Sequence, residues 1–269
     1  GQPMWVALGR QHYEQRRPNV LAALAGQEVT FEMELPAENG AVRYALATYI
    51  PHFGENGEVV GYFALIQDIT ERRKAEQELR YLANYDTLTS LPNRALASER
   101  LARAIVRARR EGRLVAVLFL DLDRFKDIND SLGHAVGDRV LRAAAERVQQ
   151  AVGPQHTVAR LGGDEFTVIL EGLSSTDEAE ELARQVLAAF EMPLRLDERR
   201  EVAMSPSVGI SLYPQHALLP TELLKHADLA LYQSKGSGRN AVHFFSEHLR
   251  NKASMELELE EELRQALKN

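Results

Sequence analysis

Residues 160–166 read Arg160-Leu161-Gly162-Gly163-Asp164-Glu165-Phe166. Apolar β-formers stand on both sides, Val158 to Leu161 before and Phe166-Thr167-Val168-Ile169-Leu170 after. Two such runs joined by a glycine pair predict a β-hairpin. Glycine suits a backbone that must turn through positive φ or lie close to a ligand. Asp164 and Glu165 then stand at the tip, two carboxylates beside bare backbone. A purely structural turn is served by Asn-Gly or Asp-Gly alone. Two acids behind two glycines point to a site.

Upstream, Leu114 to Leu120 is a run of apolar residues short enough for a strand buried on both faces. It ends in Asp121-Leu122-Asp123-Arg124-Phe125-Lys126. Next come Gly133-His134-Ala135-Val136-Gly137-Asp138 and a helix to Val152, with Val136, Val140, Ala144 and Val148 on one face. Beyond the hairpin a helix starts at Ser175, where Ser-x-x-Glu178 forms a capping box. Val202 to Tyr213 reads as a strand, Pro220 to Lys235 as a helix ended by Gly236-Ser237-Gly238, and Ala241 to Phe245 as a last strand. Pro92 breaks helix at Leu91, so a separate helix runs from Asn93 to Gly112 with Leu96, Leu101, Ile105 and Ala108 inward. The order αβα, ββ, αβαβ predicts an α/β (α+β) domain: an antiparallel-containing sheet covered by helices.

The whole chain has 269 residues, room for one large or two modest domains, and its 45% hydrophobic content marks it as globular. With no cysteine it has no disulfide, thiolate metal site or thiol nucleophile, which fits a reducing, cytoplasmic setting. No signal peptide or membrane-spanning run is present, which leaves open an anchor elsewhere in a longer parent. A net charge of −7 argues against a broad nucleic-acid surface, so a phosphate ligand needs locally gathered lysines and arginines.

The first 69 residues differ in style. A helix over Gln11 to Ala25 precedes strand-like runs near Val29–Leu35, Val42–Ile50 and Val59–Gln67, with turns at Asn39-Gly40 and Asn56-Gly57. The stretch Gly57 to Gln67 followed by Asp68-Ile69-Thr70-Glu71-Arg72 resembles the later half of a PAS sensory domain. That resemblance implies a domain opening before Gly1 and a PAS ligand of unknown identity. Trp5 and His12 are candidates for haem or flavin contacts, but solitary residues of that kind are more often packing, and the pocket is left unassigned. Residues 70–84 form a charged linker helix, capped by Thr70, with Ala75, Leu79 and Leu82 as a thin apolar stripe. It is either a weakly pairing dimer helix or a solvated connector.

Chemistry gathers where the buried strand ends beside the hairpin tip. Asp121 and Asp164 supply carboxylates and Leu122 a backbone carbonyl, the oxygen donors that magnesium prefers together with substrate phosphates. Two metals bridging phosphates are the recurrent device of nucleotidyl transfer. Lys126, Lys235 and Arg239 are the cations suited to grip a triphosphate.

Residues 85–249 resemble a diguanylate cyclase (GGDEF) domain over its full length. The resemblance is carried by Asp86-x-Leu88-Thr89-x-Leu91-Pro92-Asn93-Arg94, Asp121 through Asp130, Gly133-His134-x-x-Gly137-Asp138, the Arg160–Phe166 signature, and His226-Ala227-Asp228 through Asn240. It implies a ferredoxin-like palm that condenses two GTP into cyclic di-GMP with release of pyrophosphate. It further implies magnesium or manganese on Asp121, Leu122 and Asp164 with Glu165 beside them, and Asp164 and Glu165 as the catalytic acids. Asn129 and Asp138 match guanine contacts. Lys126, Lys235 and Arg239 match the phosphate clamp, and Gly162 and Gly163 let nucleotide approach the backbone. Because each half-site holds one GTP, the reaction implies a homodimer. The family's product-inhibition motif, Arg-x-x-Asp, is replaced by Gly153-Pro154-Gln155-His156, so feedback inhibition is expected to be weak. The acidic tail, with Met255, Leu259, Leu263 and Leu267 at a spacing of four, resembles the helix leading into an EAL phosphodiesterase domain; a frayed terminal helix is the other reading. A GTP-binding regulatory module serving such a domain is therefore the alternative to an active cyclase.

Overall fold

The computed structural model describes residues 10–36, 42–197 and 200–249. Trp5, the side chain of His12, the Asn39-Gly40 turn and the acidic tail lie outside these residues. The chain divides into two compact units between Arg80 and Tyr81.

In the first unit, α1 (Arg10–Leu24) precedes an antiparallel meander of β1 (Val29–Pro36), β2 (Val42–Phe53) and β3 (Val59–Asp68). Alternation along β2 turns Ala45, Ala47 and Tyr49 inward, where Ala47 and Tyr49 pack with Val20 and Ala23 of α1. Phe31 meets Tyr49 edge-on at 5.0 Å. The Asn56-Gly57 turn forms as expected, with Gly57 at φ +81. Helix α2 (Thr70–Asn84) follows. Thr70 does not cap it through its hydroxyl, which is buried and bonded to both the amide and the carbonyl of Tyr44. The Asp68 carboxylate accepts the Thr70 amide instead, at 2.9 Å.

The second unit contains α3 (Arg94–Glu111), β4 (Leu114–Leu122), α4 (Phe125–Leu132), α5 (His134–Val152), β5 (Thr157–Gly162), β6 (Glu165–Leu173), α6 (Thr176–Ala189), β7 (Leu194–Arg195), β8 (Glu201–Val202), β9 (Pro206–Tyr213), α7 (Pro220–Gly236) and β10 (Val242–Phe244). Its main sheet has the order β10-β9-β4-β6-β5. The β9-β4-β6-β5 part is antiparallel throughout, the ferredoxin-like arrangement, and β10 adds a parallel edge beside β9. The expected strand from Val202 is split, because β8 pairs with β7 while β9 starts afresh at Pro206, a residue without an amide hydrogen. Helix α4 was not anticipated: its apolar stripe of Phe125, Ile128 and Leu132 lasts only two turns, too short for a periodic run to stand out.

The central strand explains its own apolar run. Ala116, Leu118, Leu120 and Leu122 face the core made with α5 and α6; Val115, Val117 and Phe119 face the core made with α3 and α7. A strand covered on both faces needs no polar alternation. The parity also aims the acids, since Asp121 continues the odd-numbered face, toward α7. That helix lies hard against β9: a Cβ on Gly209 would come within 2.1 Å of the Ala227 carbonyl oxygen and the Leu231 nitrogen.

Candidate active site

The end of β4 and the hairpin tip form one edge. Asp121 pairs with Glu165 across the ladder, and the Leu122 amide donates to the Asp164 carbonyl at 3.4 Å. Gly162 and Gly163 adopt φ of +144 and +51, so the tip takes a path that side-chain-bearing residues resist. A Cβ on either would meet nothing within 4 Å; the space over this backbone is open. From α7, the Lys235 ammonium reaches Asp121 at 2.7 Å.

Negative charge exceeds its local compensation here. Burial, and then the neighbouring Asp164 and Asp123, push the Asp121 carboxyl above its ordinary range against the pull of Lys235. Burial and the nearby Asp228, Asp121 and Asp164 likewise raise Glu165, with Arg94 opposing. Arg94 stands 3.9 Å from Glu165. Asp228 is raised by burial too, with Lys235 and Arg94 opposing. Carboxylates crowded this way invite a cation. Among the described residues, no group of three or more His, Cys, Asp or Glu side chains is arranged to hold a metal. Two carboxylates and one main-chain carbonyl nevertheless fit magnesium, which keeps several waters and takes oxygens from substrate phosphates.

A second group lies along α4 and the start of α5. Half-buried Asn129 rests on Gly137, where a Cβ would fall 2.0 Å from the Asn129 Oδ1. The absence of a side chain at Gly137 thus seats the amide next to exposed Asp138. Lys126 is exposed at the second position of α4. Arg239 follows α7 and stands 4.0 Å from Asp123, apart from the Lys235–Asp121 pair.

Three features have no role assigned from sequence. Arg160 donates to both Asp86 oxygens, at 2.9 and 3.0 Å, and to the Gly163 carbonyl, at 3.0 and 2.7 Å. It thereby fastens the hairpin tip to the loop before α3. Asp86 also accepts the Thr89 amide and hydroxyl, and an Asp three residues before a Thr was the available clue. Asp123 is buried and bonded to Ser205 and Ser207. Asp228 stands beside Glu165 and Lys235, inside a motif of which only Lys235 and Arg239 are given roles.

The family described as "Diguanylate cyclase, GGDEF domain" matches residues 83–241, and that described as "PAS fold" matches residues 1–74. Among curated proteins of Pseudomonas aeruginosa, cyclic di-GMP phosphodiesterase NbdA is 46% identical over 195 residues, 72% of this chain and 25% of NbdA. The bifunctional diguanylate cyclase/cyclic di-GMP phosphodiesterase MucR is 44% identical over 198 residues, 74% of this chain and 29% of MucR. Diguanylate cyclase TpbB is 46% identical over 163 residues, 61% of this chain and 38% of TpbB. The solved structure of a TpbB form comprising only the GGDEF domain superposes with a TM-score of 0.61 at 43% identity, covering 63% of this chain and 99% of that one. The chain therefore spans well under half the length of these curated relatives.

Proposed function

The chain belongs to the GGDEF family of diguanylate cyclases, and we propose that it condenses two GTP into cyclic di-GMP across a homodimer. The observation that carries this reading is the joined edge of β4 and the hairpin, with Asp121, Asp164 and Glu165 together and Lys235 on Asp121. In this reading Asn129 and Asp138 accept hydrogens from the guanine edge, and the cations Lys126, Lys235 and Arg239 hold the phosphates. Asp121, Asp164 and the Leu122 carbonyl would hold magnesium or manganese, which when bound neutralises phosphate charge and eases ionisation of a coordinated hydroxyl. Each 3′-oxygen attacks the α-phosphorus of the other GTP; one P–O bond forms, the bond to the β-phosphate breaks, and pyrophosphate leaves. In this reading Asp164 takes the hydroxyl proton. The two attacks are reciprocal, so a single chain binds GTP without completing product.

Purified chain incubated with GTP and magnesium is expected to yield cyclic di-GMP. Asp164→Ala is expected to abolish turnover while GTP binding survives. A wild-type chain that binds GTP tightly without turnover would favour the second reading, a GTP-sensing module for an EAL phosphodiesterase domain in a longer parent. The phosphodiesterase activities named for NbdA and MucR support that reading.

Feedback control should be weak. Gly153 and His156 stand where the family's inhibition motif has arginine and aspartate. His156 is committed locally, its Nδ1 accepting the Glu171 amide at 3.2 Å. Burial pushes its imidazole below the usual range, with Glu178 opposing, so it stays neutral at pH 7. Submicromolar inhibition by cyclic di-GMP that disappears in His156→Ala would overturn this expectation.

A further inference from the structure

The acid two residues beyond Asp121 is used differently. Asp123 lies on the same odd-numbered face of the chain but is shut away, its side chain 5% exposed. Ser205 Oγ donates to Oδ2 at 2.7 Å and Ser207 Oγ to Oδ1 at 2.8 Å. The Asp123 amide donates to the Ser205 carbonyl at 2.8 Å, locking the backbone beside the start of β9. A third hydrogen bond to the carboxylate comes from a distant part of the chain. The Asn240 amide, 117 residues away, donates to Oδ2 at 3.1 Å.

That last bond falls in an unusual stretch. Arg239 and Asn240 both adopt left-handed backbone conformations, with φ of +68 and +47, immediately after Gly238 at +112. Two consecutive non-glycine residues in this region resist the conformation and persist only where their surroundings impose it. The Arg239 amide is held by the Ser234 carbonyl at 3.2 Å, and the Asn240 amide by Asp123. The Arg239 Nε stands 4.0 Å from Asp123 Oδ1, and the Arg239 side chain remains 49% exposed. Asp123 and Arg239 both border an open cavity of about 850 Å³.

We propose that Asp123 is a positioning residue for the phosphate clamp: its buried carboxylate, fixed by Ser205 and Ser207, holds the Arg239-Asn240 turn in its left-handed form and so sets where the Arg239 guanidinium meets a nucleoside triphosphate. This rests on the role given to Arg239 above. Asp123 does not itself touch the nucleotide; it acts through the turn. The two serines are spaced to match, since residues two apart in an extended segment share a face.

The test uses the full chain. Asp123→Asn keeps the size of the side chain and one acceptor oxygen but removes the charge that strengthens all three hydrogen bonds. Exchange of the Asn240 amide hydrogen is expected to speed up at least roughly tenfold relative to other amides of β9 and α7. GTP affinity should fall roughly tenfold, about as far as in Arg239→Ala, while guanosine affinity is unchanged. Asp123→Asn combined with Arg239→Ala should bind GTP no more weakly than Arg239→Ala alone, because the first change acts through the second side chain. Additive losses, equal weakening of guanosine, or an Asn240 amide that stays protected would each overturn the proposal. If Asp123→Asn does not fold, Ser205→Ala replaces it, and an unaltered Asn240 exchange rate there counts against the proposal in the same way. A wild-type chain with no GTP affinity would remove the cyclase reading instead, and the exchange data would still decide whether Asp123 holds the turn.

Discussion

Gly137 has no side chain because Asn129 fills the space one would need. An added Cβ would sit 2.0 Å from the Asn129 Oδ1 and 3.2 Å from the Phe125 ring. The nearer obstacle is the far end of a half-buried side chain, which can rotate away at small cost. Meanwhile alanine inside a helix is favoured over glycine by about 0.5–1 kcal/mol. Gly137→Ala should therefore leave thermal stability unchanged or slightly higher. Guanosine affinity should drop roughly tenfold, because one good hydrogen bond to the base is lost or misaligned. Calorimetric melting and guanosine titration on the same preparation check this. Retained guanosine binding would mean that Asn129 does not read the base.

At the scale of elements, the loop from Asp86 to Arg94 carries more than its turn residues suggest. Asn93 caps α3 by accepting the Ala95 and Leu96 amides, and its own amide group donates to the Ala83 carbonyl at the end of α2. Arg160 joins the same loop to the signature hairpin through Asp86. Burial alone would raise the Asp86 carboxyl, but hydrogen bonds from Thr89 and the Arg160 guanidinium outweigh it and hold the group below the ordinary aspartate range. The linkage sign follows: the unfolded chain binds this proton more readily than the folded one. The stabilisation is complete above about pH 4, the unfolded value, and is lost as pH falls through the lower folded one. Urea unfolding followed from pH 6 down to about pH 2.5 should show an acid-side loss in the wild type that is shallower in Asp86→Asn. Identical pH slopes would remove Asp86 from the account. The central strand, the hairpin and the Ser175 cap could be read in advance because period and local chemistry specify them. The joined carboxylate edge could be read from the signature acids. The Asp86–Arg160 clamp spans 74 residues, and the Asp123 network reaches from β4 to the loop after α7. Such pairings have no local signal; they become visible only once the sheet order is known. Thr70 misled for the same reason, since Tyr44 of β2, 26 residues away, claims its hydroxyl.

At the scale of the whole molecule, α2 begins among the hydrogen bonds of the first unit and ends among those of the second. Thr70 is tied to Tyr44, while the Asn84 carbonyl accepts the Asn93 amide and Tyr81 stacks on Tyr85 at 5.0 Å. Between these anchors Leu79 is 66% and Leu82 47% exposed. Two leucines one turn apart on a charged helix gain by covering each other in a symmetric pair. The proposed reaction needs such a pair, because neither half-site alone holds both GTP molecules. Replacing both residues, Leu79→Glu with Leu82→Glu, places like charges where the two helices would meet. Specific activity is expected to fall at least about tenfold and to rise with protein concentration, since a weakened dimer reforms by mass action. GTP affinity per chain should not change, because every residue assigned to the nucleotide lies beyond Asp121. Activity measured across a dilution series, alongside sedimentation of the same samples, separates these effects. Unaltered specific activity at low concentration would show that α2 is only a solvated connector and that the two active sites meet by another surface.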